Sequence, residues 1–415
     1  MIMSSSQTSL FIPIIILLGI SSGISILVSL FKFRALPTFV LEVIAGIVFG
    51  RILTKYFQSH NYTEIVDFLY VIGFSFIMFL SGYDVNLKVF KDKTKSTKNH
   101  FNIARTCLLI IGLIYLLSIA VAFIFIGSMD KVVLGVILLA ITFSSTFAGV
   151  VVPLINVEHL HSTHWGEFII TFSFLNEFIS VVLLTLFMIA NNFTLTGLWS
   201  YLLIIGIFLL LFFILKIRRG RRIEEGMVFF STKIIIVALG ACVFLGEKGG
   251  GEYVLGAFLL GFFLRLVHLN HHKMKFLESI GYGFFIPVFF VILGTKIDIT
   301  HFIHHPRMFL TSFLLFIVFL IVKLPMLHLL HWYKKATVAT SVALSSVTLV
   351  VAVAAEHLGL NYGIFSHEFG QTLIFAAVLT TILGPLVYEI SCFTSLRHLR
   401  TEEKEIIYDE DFELS

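Results

Sequence analysis

The sequence predicts an all-α polytopic membrane protein with about thirteen transmembrane helices, and two features of its composition support this prediction. Of its 415 residues, 58% are hydrophobic and 13% are charged, whereas a soluble domain carries about 25% charged residues. Apolar windows of about 20 residues recur along the chain, and a helix of that length crosses the roughly 30 Å hydrocarbon core of a bilayer. The two halves of the chain are also weakly similar to each other, which suggests that the fold contains an internal repeat.

The predicted spans follow one another with short polar breaks between them, at residues 8–31, 36–56, 62–83, 101–127, 131–157, 164–190, 196–216, 228–246, 250–268, 276–296, 307–332, 336–358 and 370–395. The first window has no basic segment before it and no small-residue cleavage site, so we expect a retained span and not a signal peptide. Together the spans form a transmembrane domain over residues 1–400. Residues 401–415 form a short acidic cytoplasmic tail, and we expect no nucleotide-binding domain.

Clusters of Lys and Arg in three loops predict the orientation of the chain. These clusters lie at Lys88–Lys98, Lys216–Arg222 and Arg265–Lys275, whereas the loop at residues 191–194 has no Lys or Arg. Loops rich in Lys and Arg stay on the cytoplasmic side of the membrane. With thirteen spans, we therefore expect a plasma-membrane protein with its N-terminus outside and its C-terminus in the cytoplasm.

The cysteines and histidines are not arranged as a metal site. Cys107, Cys242 and Cys392 each lie in an apolar span without a close pairing pattern, so we expect no disulfide, no zinc site and no cofactor. The histidines that cluster in loops are His159, His161, His164, His268, His271, His272, His301, His304 and His305. They are either solvated residues at the interface or reporters of cytoplasmic pH.

The two halves of the chain are similar at a separation of about 200 residues. The segment Ala45–Gly50 resembles Gly256–Gly261, and Gly82–Val85 resembles Gly294–Ile297. The clearest match pairs the stretch from Ser144 to Leu160 with that from Ser345 to Leu358, both of which begin with hydroxyl residues and end in Glu-His-Leu. On the predicted topology these two stretches run in opposite directions through the membrane. The sequence therefore predicts inverted repeats over about 36–190 and 250–395.

Inverted repeats are typical of secondary transporters, whose sites lie near the membrane midplane where paired helices are interrupted. Both matched spans carry hydroxyl residues, among them Ser145, Thr146 and Ser346, and Pro153 removes a backbone donor from the first span. We predict two broken helices that cross there and supply oxygen ligands to an ion. The alternative is that Ser and Thr only permit close helix packing.

Asn176 and Glu177 lie side by side in a span that is otherwise uncharged between about 168 and 190. A carboxylate inside an apolar span costs several kcal/mol unless it faces a cavity or a partner, so it is a candidate functional residue. Glu177 can hold a proton or coordinate a small cation such as Na+. Asn176 either completes the shell of that cation, orients the carboxylate, or bonds across a helix interface.

Lys323 is the second intramembrane charge, two residues before Pro325. Its ammonium has to find a partner or lose its proton. Two functional roles are open: an ion pair that holds Glu177 when no cation is bound, or a second proton carrier. The alternative is a lysine that snorkels to the headgroups.

Other charged residues are weaker candidates for the functional site. Glu42 lies close to the predicted inner face as a capping or gating residue, or as a solvated one. Lys296 and Asp298 are expected to be a solvated pair at an outer span end.

The chain also resembles the cation:proton antiporter-2 family, and in particular its Na+/H+ antiporters of the NapA type. The matching segments are Leu36–Gly46, Gly73–Asp84, Phe143–Thr146, Phe174–Glu177 and Gly283–Phe290. This resemblance implies a core bundle with two crossing broken helices, a panel that mediates homodimerisation, and elevator-type alternating access. It covers residues 8 to about 395.

The resemblance also bears on the charged residues. Asn176–Glu177 falls on a pair of adjacent acids in the family, and a neutral residue followed by an acid resembles the electroneutral members. Lys323 falls on an intramembrane lysine of the family, and this resemblance argues for electrogenic exchange instead. Relatives often have an acid near Ser346, where this chain has only hydroxyl residues, so the resemblance leaves the full ligand set open.

From these residues we predict a secondary active antiporter that exchanges Na+, or Li+, for H+ by competition at Glu177, with electroneutral stoichiometry. Its partners are the lipid bilayer and a second copy of the chain, with no nucleic acid. The alternatives are a K+/H+ antiporter and a cation channel. An enzyme is disfavoured because the chain has no paired catalytic acids, no histidine-rich metal span and no nucleophile motif.

Overall fold

A computed structural model describes residues 11–31, 37–84, 103–128, 131–157, 160, 163–191, 206, 225–248, 253–266, 271–297, 299–330 and 335–391. Several predictions fall outside these residues. They concern the span at 196–216 apart from residue 206, the basic loops at 88–98 and 216–222, Cys392, Asp298 and the acidic tail.

The described elements are helices, because uninterrupted apolar segments can satisfy their backbone hydrogen bonds internally only in this form. In chain order they are α1 (Phe11–Phe31), α2 (Thr38–Ser59), α3 (Thr63–Asp84), α4 (Ile103–Ala122), α5 (Val132–Ser144), α6 (Ala148–Val157), α7 (His164–Asn191), α8 (Glu225–Lys248), α9 (Tyr253–Leu266), α10 (His271–Ile280), α11 (Ile286–Thr295), α12 (Ile299–His304), α13 (Pro306–Ile321), α14 (Pro325–Leu329), α15 (Lys335–Ser345), α16 (Val350–Asn361) and α17 (His367–Ser391). A 3₁₀ turn, Phe123–Ser128, follows α4, and a π-helical turn, Gly281–Phe285, joins α10 to α11.

The predicted class is confirmed by these helices. In the described part of the chain, 9 helical stretches are long and apolar enough to cross a membrane, and α8 and α9 contain shorter apolar runs. The predicted span at 36–56 corresponds to α2, a 22-residue helix that carries Glu42, Arg51 and Lys55. The count of thirteen spans stays a prediction.

The chain divides into two compact units, each built from two separate stretches of sequence. The first unit comprises residues 1–85 and 185–305, and the second comprises residues 86–184 and 306–415. Each unit therefore contains helices from both predicted repeats. The division into a core bundle and a dimerisation panel stays a prediction.

In the first unit, the repeated glycine segments lie at close helix contacts. Helix α2 packs against α11, and α3 packs against α9. A Cβ atom on Gly46 would overlap the backbone oxygen of Val291, and a Cβ atom on Gly261 would overlap that of Phe79. These two glycines belong to the matched segments at 45–50 and 256–261, so corresponding parts of the repeats make corresponding contacts.

Two of the weaker charge predictions lie in this unit. Glu42 is only 2% exposed and accepts a hydrogen bond from Ser21 Oγ of α1 at 2.9 Å, so the solvated alternative is wrong. Lys296 Nζ lies 3.7 Å from Asp67 Oδ1 and 3.9 Å from the centre of the Tyr70 ring. These contacts join the end of α11 to α3.

In the second unit, a buried apolar cluster fixes the first half of α7. Trp165 stacks on Tyr388 of α17 with 6.5 Å between the ring centres, and its indole N–H donates to Ser341 Oγ of α15 at 2.9 Å. Phe168 and Phe172 continue this buried face along α7. The packing holds α7 in register with the interrupted helices described next.

Candidate functional site

Two helices of the second unit are interrupted, and their interruptions meet. The first break separates α5 from α6 at Ser145–Phe147, and the second separates α15 from α16 at residues 346–349. The Phe147 amide donates to the Val347 carbonyl at 2.7 Å, and Thr146 Oγ1 donates to the Ser345 carbonyl at 2.5 Å. The two broken helices therefore cross where the repeated hydroxyl residues predict.

The first break does not lie at Pro153. Pro153 lies inside α6, six residues beyond the break, and its side chain is exposed. At the break itself, Ser144 Oγ and Ser145 Oγ donate to the carbonyls of Ile141 and Thr142, at 3.0 and 2.8 Å. Hydroxyl groups that bond to the preceding turn compete with helix continuation, so these serines account for the break better than the proline does.

Each half of the first broken helix ends beside a charged side chain. Lys323 Nζ donates to the Ser144 carbonyl, and to the Ser145 carbonyl at 2.9 Å, at the C-terminal end of α5. Glu177 Oε2 accepts a hydrogen bond of 2.9 Å from the Ala148 amide, the first amide of α6. A helix has a partial negative charge at its C-terminus and a partial positive charge at its N-terminus. The ammonium of Lys323 and the carboxylate of Glu177 therefore lie at the helix ends whose partial charges attract them.

Lys323 reaches the break from a third helix interruption. Helix α13 ends at Ile321 and α14 begins at Pro325; Pro325 has no amide hydrogen, and the Leu324 amide bonds to the Ile321 carbonyl instead, at 3.0 Å. The Lys323 side chain is 0% exposed and its ammonium is also 3.4 Å from Thr146 Oγ1. This burial rules out the snorkelling alternative, while the two functional roles stay predictions.

Asn176 contacts the same break from α7. Its amide nitrogen donates to the Ser144 carbonyl at 2.5 Å and to Thr146 Oγ1 at 2.9 Å. Both amide protons are thereby used in bonds from α7 to the first break. Its carbonyl oxygen Oδ1 is buried and has no hydrogen-bond partner among the described residues, so it remains available to a cation.

Thr146 connects the predicted residues to each other. Its hydroxyl gives its single proton to the Ser345 carbonyl and accepts from Asn176 and Lys323. Ser145 Oγ lies 2.5 Å from Thr348 Oγ1, and since the Ser145 proton goes to Thr142, Thr348 is the donor. Glu177, Asn176, Lys323, Thr146 and Ser145 are thus brought together around the first break.

Ser346 is the exception among the predicted site residues. It lies on the second break and is buried, but its hydroxyl donates to the Ala343 carbonyl of its own helix at 2.7 Å. The oxygen keeps acceptor capacity for a cation, and its hydrogen is directed back into α15.

Three residues of the network are not among the predicted site residues. Thr348 bonds to Ser145 across the crossing, Ser180 Oγ donates to the Asn176 carbonyl at 2.7 Å, and Tyr115 OH lies 2.9 Å from Ser180 Oγ. The sequence contains a signal for Ser180, which follows Asn176 by one helical turn. Nothing in the sequence singles out Tyr115, because its partner lies 65 residues away.

The oxygen atoms at the break fit a small cation. Within the described ranges, no three His, Cys, Asp or Glu side chains are grouped as a metal site. A cation at the break would instead be held by one carboxylate, one amide oxygen and neutral hydroxyl or carbonyl oxygens. Hard monovalent and divalent cations accept such oxygen ligands, and a single acid gives a site of low negative charge.

Comparison with known proteins adds three findings. Residues 16–392 match the family "Sodium/hydrogen exchanger, transmembrane". The Bacillus subtilis (strain 168) protein YjbQ, whose name assigns it to Na+/H+ antiport, is 27% identical over 389 residues, covering 90% of this chain and 61% of YjbQ. K+/H+ antiporter 1 of Saccharomyces cerevisiae (strain ATCC 204508 / S288c) is 24% identical over 391 residues, covering 86% of this chain and 44% of the yeast protein.

The chain thus spans about three fifths of YjbQ and less than half of the yeast protein. Among solved structures, the sodium proton antiporter MjNhaP1 from Methanocaldococcus jannaschii matches with a TM-score of 0.57. The match covers 91% of this chain and 95% of MjNhaP1 at 15% sequence identity. At this identity the likeness establishes the fold, which is the predicted antiporter fold.

Proposed function

The chain belongs to the transmembrane sodium/hydrogen exchanger family, and we propose that it is a secondary active antiporter that exchanges Na+ for H+ at the break between α5 and α6. The observation that carries this proposal is the position of Glu177 on the first amide of α6, one residue after an amide side chain whose oxygen is unbonded among the described residues. Family membership agrees with the prediction that the chain is a transporter and not an enzyme.

Exchange follows from competition for one carboxylate. With its proton, Glu177 is neutral and attracts a cation weakly; without its proton, it supplies the only formal negative charge among the candidate ligands. The other candidate ligands are Asn176 Oδ1 and the hydroxyl oxygens of Ser145, Thr146 and Ser346. Cation binding on the cytoplasmic side releases one proton there, and proton binding on the outer side releases the cation.

One carboxylate and one cation give electroneutral exchange. The second candidate proton carrier, Lys323, donates to two backbone carbonyls at the end of α5, and in this proposal it stays protonated throughout the cycle. If Lys323 keeps its proton, one Na+ moves for one H+ and no net charge crosses the membrane.

Alternating access of the elevator type is part of the proposal. The candidate residues lie in the two breaks, in α7 and in the α13–α14 turn, and all of them belong to one compact unit. Hydrogen bonds between the segments support their movement as one body. We also propose a homodimer in the plasma membrane, with the N-terminus outside.

Na+ is proposed over K+ as the main substrate, and both Na+/H+ and K+/H+ antiport occur in the names of relatives. A panel of cations tests this choice. The purified full chain is reconstituted into vesicles containing a pH-sensitive dye, and Na+, Li+, K+ or Rb+ is added outside at a clamped membrane potential.

The expected result is proton movement driven by Na+ and Li+, with a rate independent of the clamped potential. Proton movement driven by K+ and Rb+ alone would support the K+/H+ alternative. Single-channel currents without proton movement would support the channel alternative, and the absence of any cation-driven proton movement in correctly folded protein would refute antiport.

A further inference from the structure

We propose that Tyr115 of α4 is a positioning residue that fixes, through Ser180, the turn of α7 bearing Asn176 and Glu177; this inference rests on the proposed function. Tyr115 is half-buried, in a helix whose other polar side chains do not reach the break among the contacts described. Its hydroxyl lies 2.9 Å from Ser180 Oγ.

The direction of these hydrogen bonds follows from counting protons. A hydroxyl has one proton to donate and two lone pairs that accept. Ser180 gives its proton to the Asn176 carbonyl at 2.7 Å, so it can only accept from Tyr115. Tyr115 is therefore the donor to Ser180.

The chain of hydrogen bonds leads to the candidate ligands. Tyr115 donates to Ser180, and Ser180 donates to the backbone of Asn176, the residue before Glu177. One phenol group is thus linked through Ser180 to the backbone next to Glu177, although it contacts neither Asn176 Oδ1 nor the Glu177 carboxylate.

A second tyrosine of the same unit, which is buried, provides a comparison. Tyr388 of α17 is 1% exposed, and its hydroxyl donates to the Leu154 carbonyl at 3.2 Å. Tyr388→Phe removes one hydroxyl from a buried tyrosine away from the break. Tyr115→Phe makes the same chemical change beside Ser180.

The test measures exchange in vesicles for Tyr115→Phe, Ser180→Ala, the double variant and Tyr388→Phe, with the apparent KM for the cation and the pH profile determined for each. We expect Tyr115→Phe and Ser180→Ala each to raise the KM about fivefold, the scale of one net hydrogen bond, and to shift the pH profile. The double variant should be no worse than the single variants, because both remove the same link. Tyr388→Phe should keep the KM of the unmodified protein.

A KM and pH profile unchanged in Tyr115→Phe would overturn the inference, as would a double variant whose effect is the product of the two single effects. A second measurement does not depend on transport. Amide hydrogen exchange over residues 173–181 should become faster in Tyr115→Phe and stay unchanged in Tyr388→Phe. Equal exchange in both variants would overturn the positioning role even if the protein carries no Na+, and the absence of cation-driven proton movement in the unmodified protein would refute only the proposed function.

Discussion

Asn176 and Lys323 donate hydrogen bonds to the same oxygen, the carbonyl of Ser144 at the end of α5. A carbonyl has two lone pairs and can accept both bonds. The acid-bearing helix and the lysine-bearing turn are thereby joined through one backbone atom. When one of the two residues is substituted, the other becomes the remaining side-chain donor to this carbonyl. We therefore expect the effects of substitutions at the two residues on stability to be non-additive.

Glu177→Gln should abolish cation-driven proton movement. The amide oxygen of Gln can still accept from the Ala148 amide, so the fold should be retained, but the side chain can no longer ionise. Proton flux in vesicles checks this outcome, with size-exclusion chromatography as the test of folding. Antiport at a near-normal rate would exclude Glu177 as the shared site.

Lys323→Ala should lower thermal stability, because it leaves the carbonyls of Ser144 and Ser145 without their charged donor in an apolar interior. A hydrogen bond from a charged group contributes about 1.5–3 kcal/mol. Thermal unfolding in detergent measures the effect, and Lys233→Ala, at an exposed position on α8, is the control.

Residual electroneutral exchange in Lys323→Ala would identify a mainly structural lysine, as we expect. Complete loss of exchange in a protein of unchanged thermal stability would contradict that expectation and favour the role of proton carrier.

Asn176→Asp should make exchange sensitive to voltage. The new carboxyl group adds a second exchangeable proton beside Glu177, and it can donate to the Ser144 carbonyl only while protonated. The measurement is the transport rate at several clamped potentials, compared with the unmodified protein. If the transport rate of the variant were as insensitive to voltage as that of the unmodified protein, the absence of a second acid beside Glu177 would not explain one-for-one exchange.

Thr146→Val should destabilise the crossing of the two breaks, since valine has nearly the same shape but no hydroxyl. The Ser345 carbonyl loses its donor and Asn176 loses an acceptor, at a cost of about 1–3 kcal/mol for each buried group left unsatisfied. Thermal unfolding should show a lower Tm in Thr146→Val and recovery in Thr146→Ser. Thr311→Val, whose hydroxyl bonds only its own helix turn on an exposed side, is the control, and an equal Tm for the two valine variants would be the contrary result.

Gly46→Ala should destabilise the first unit, because the added Cβ atom would overlap the Val291 backbone oxygen. Gly19→Ala is a matched control, since a Cβ atom there has nothing within 4 Å. The yield of folded protein and its Tm in detergent measure the difference. Equal values for the two variants would show that α2 and α11 can separate without cost.

The sequence predicts the charged part of the candidate site well, for a physical reason. Glu177, Asn176 and Lys323 stand out because polar side chains are costly within apolar spans, and the structure brings them to one break. The break does not lie at Pro153, the proline that stands out in the sequence of this span. The serines at 144 and 145 end α5 through local bonds that depend on the backbone geometry.

Uncharged partners were harder to predict. Tyr115, Ser180 and Thr348 are hydroxyl residues in spans that contain many of them, and their roles depend on contacts between distant parts of the chain. The same holds for Ser21, which bonds the buried Glu42 from another helix. Such pairings follow from how the helices pack, and a single sequence does not specify that packing.

The backbone bond from Phe147 to Val347 links residues that the ribosome makes about 200 residues apart. At 5–20 residues per second, Val347 is synthesised roughly 10–40 s after Phe147. During that interval the nascent first half has a helix interruption whose amide lacks its native acceptor. The membrane-insertion machinery therefore handles a nascent chain in which a polar backbone group of the first break lacks its native partner. That partner becomes available only when the second half of the chain has been inserted.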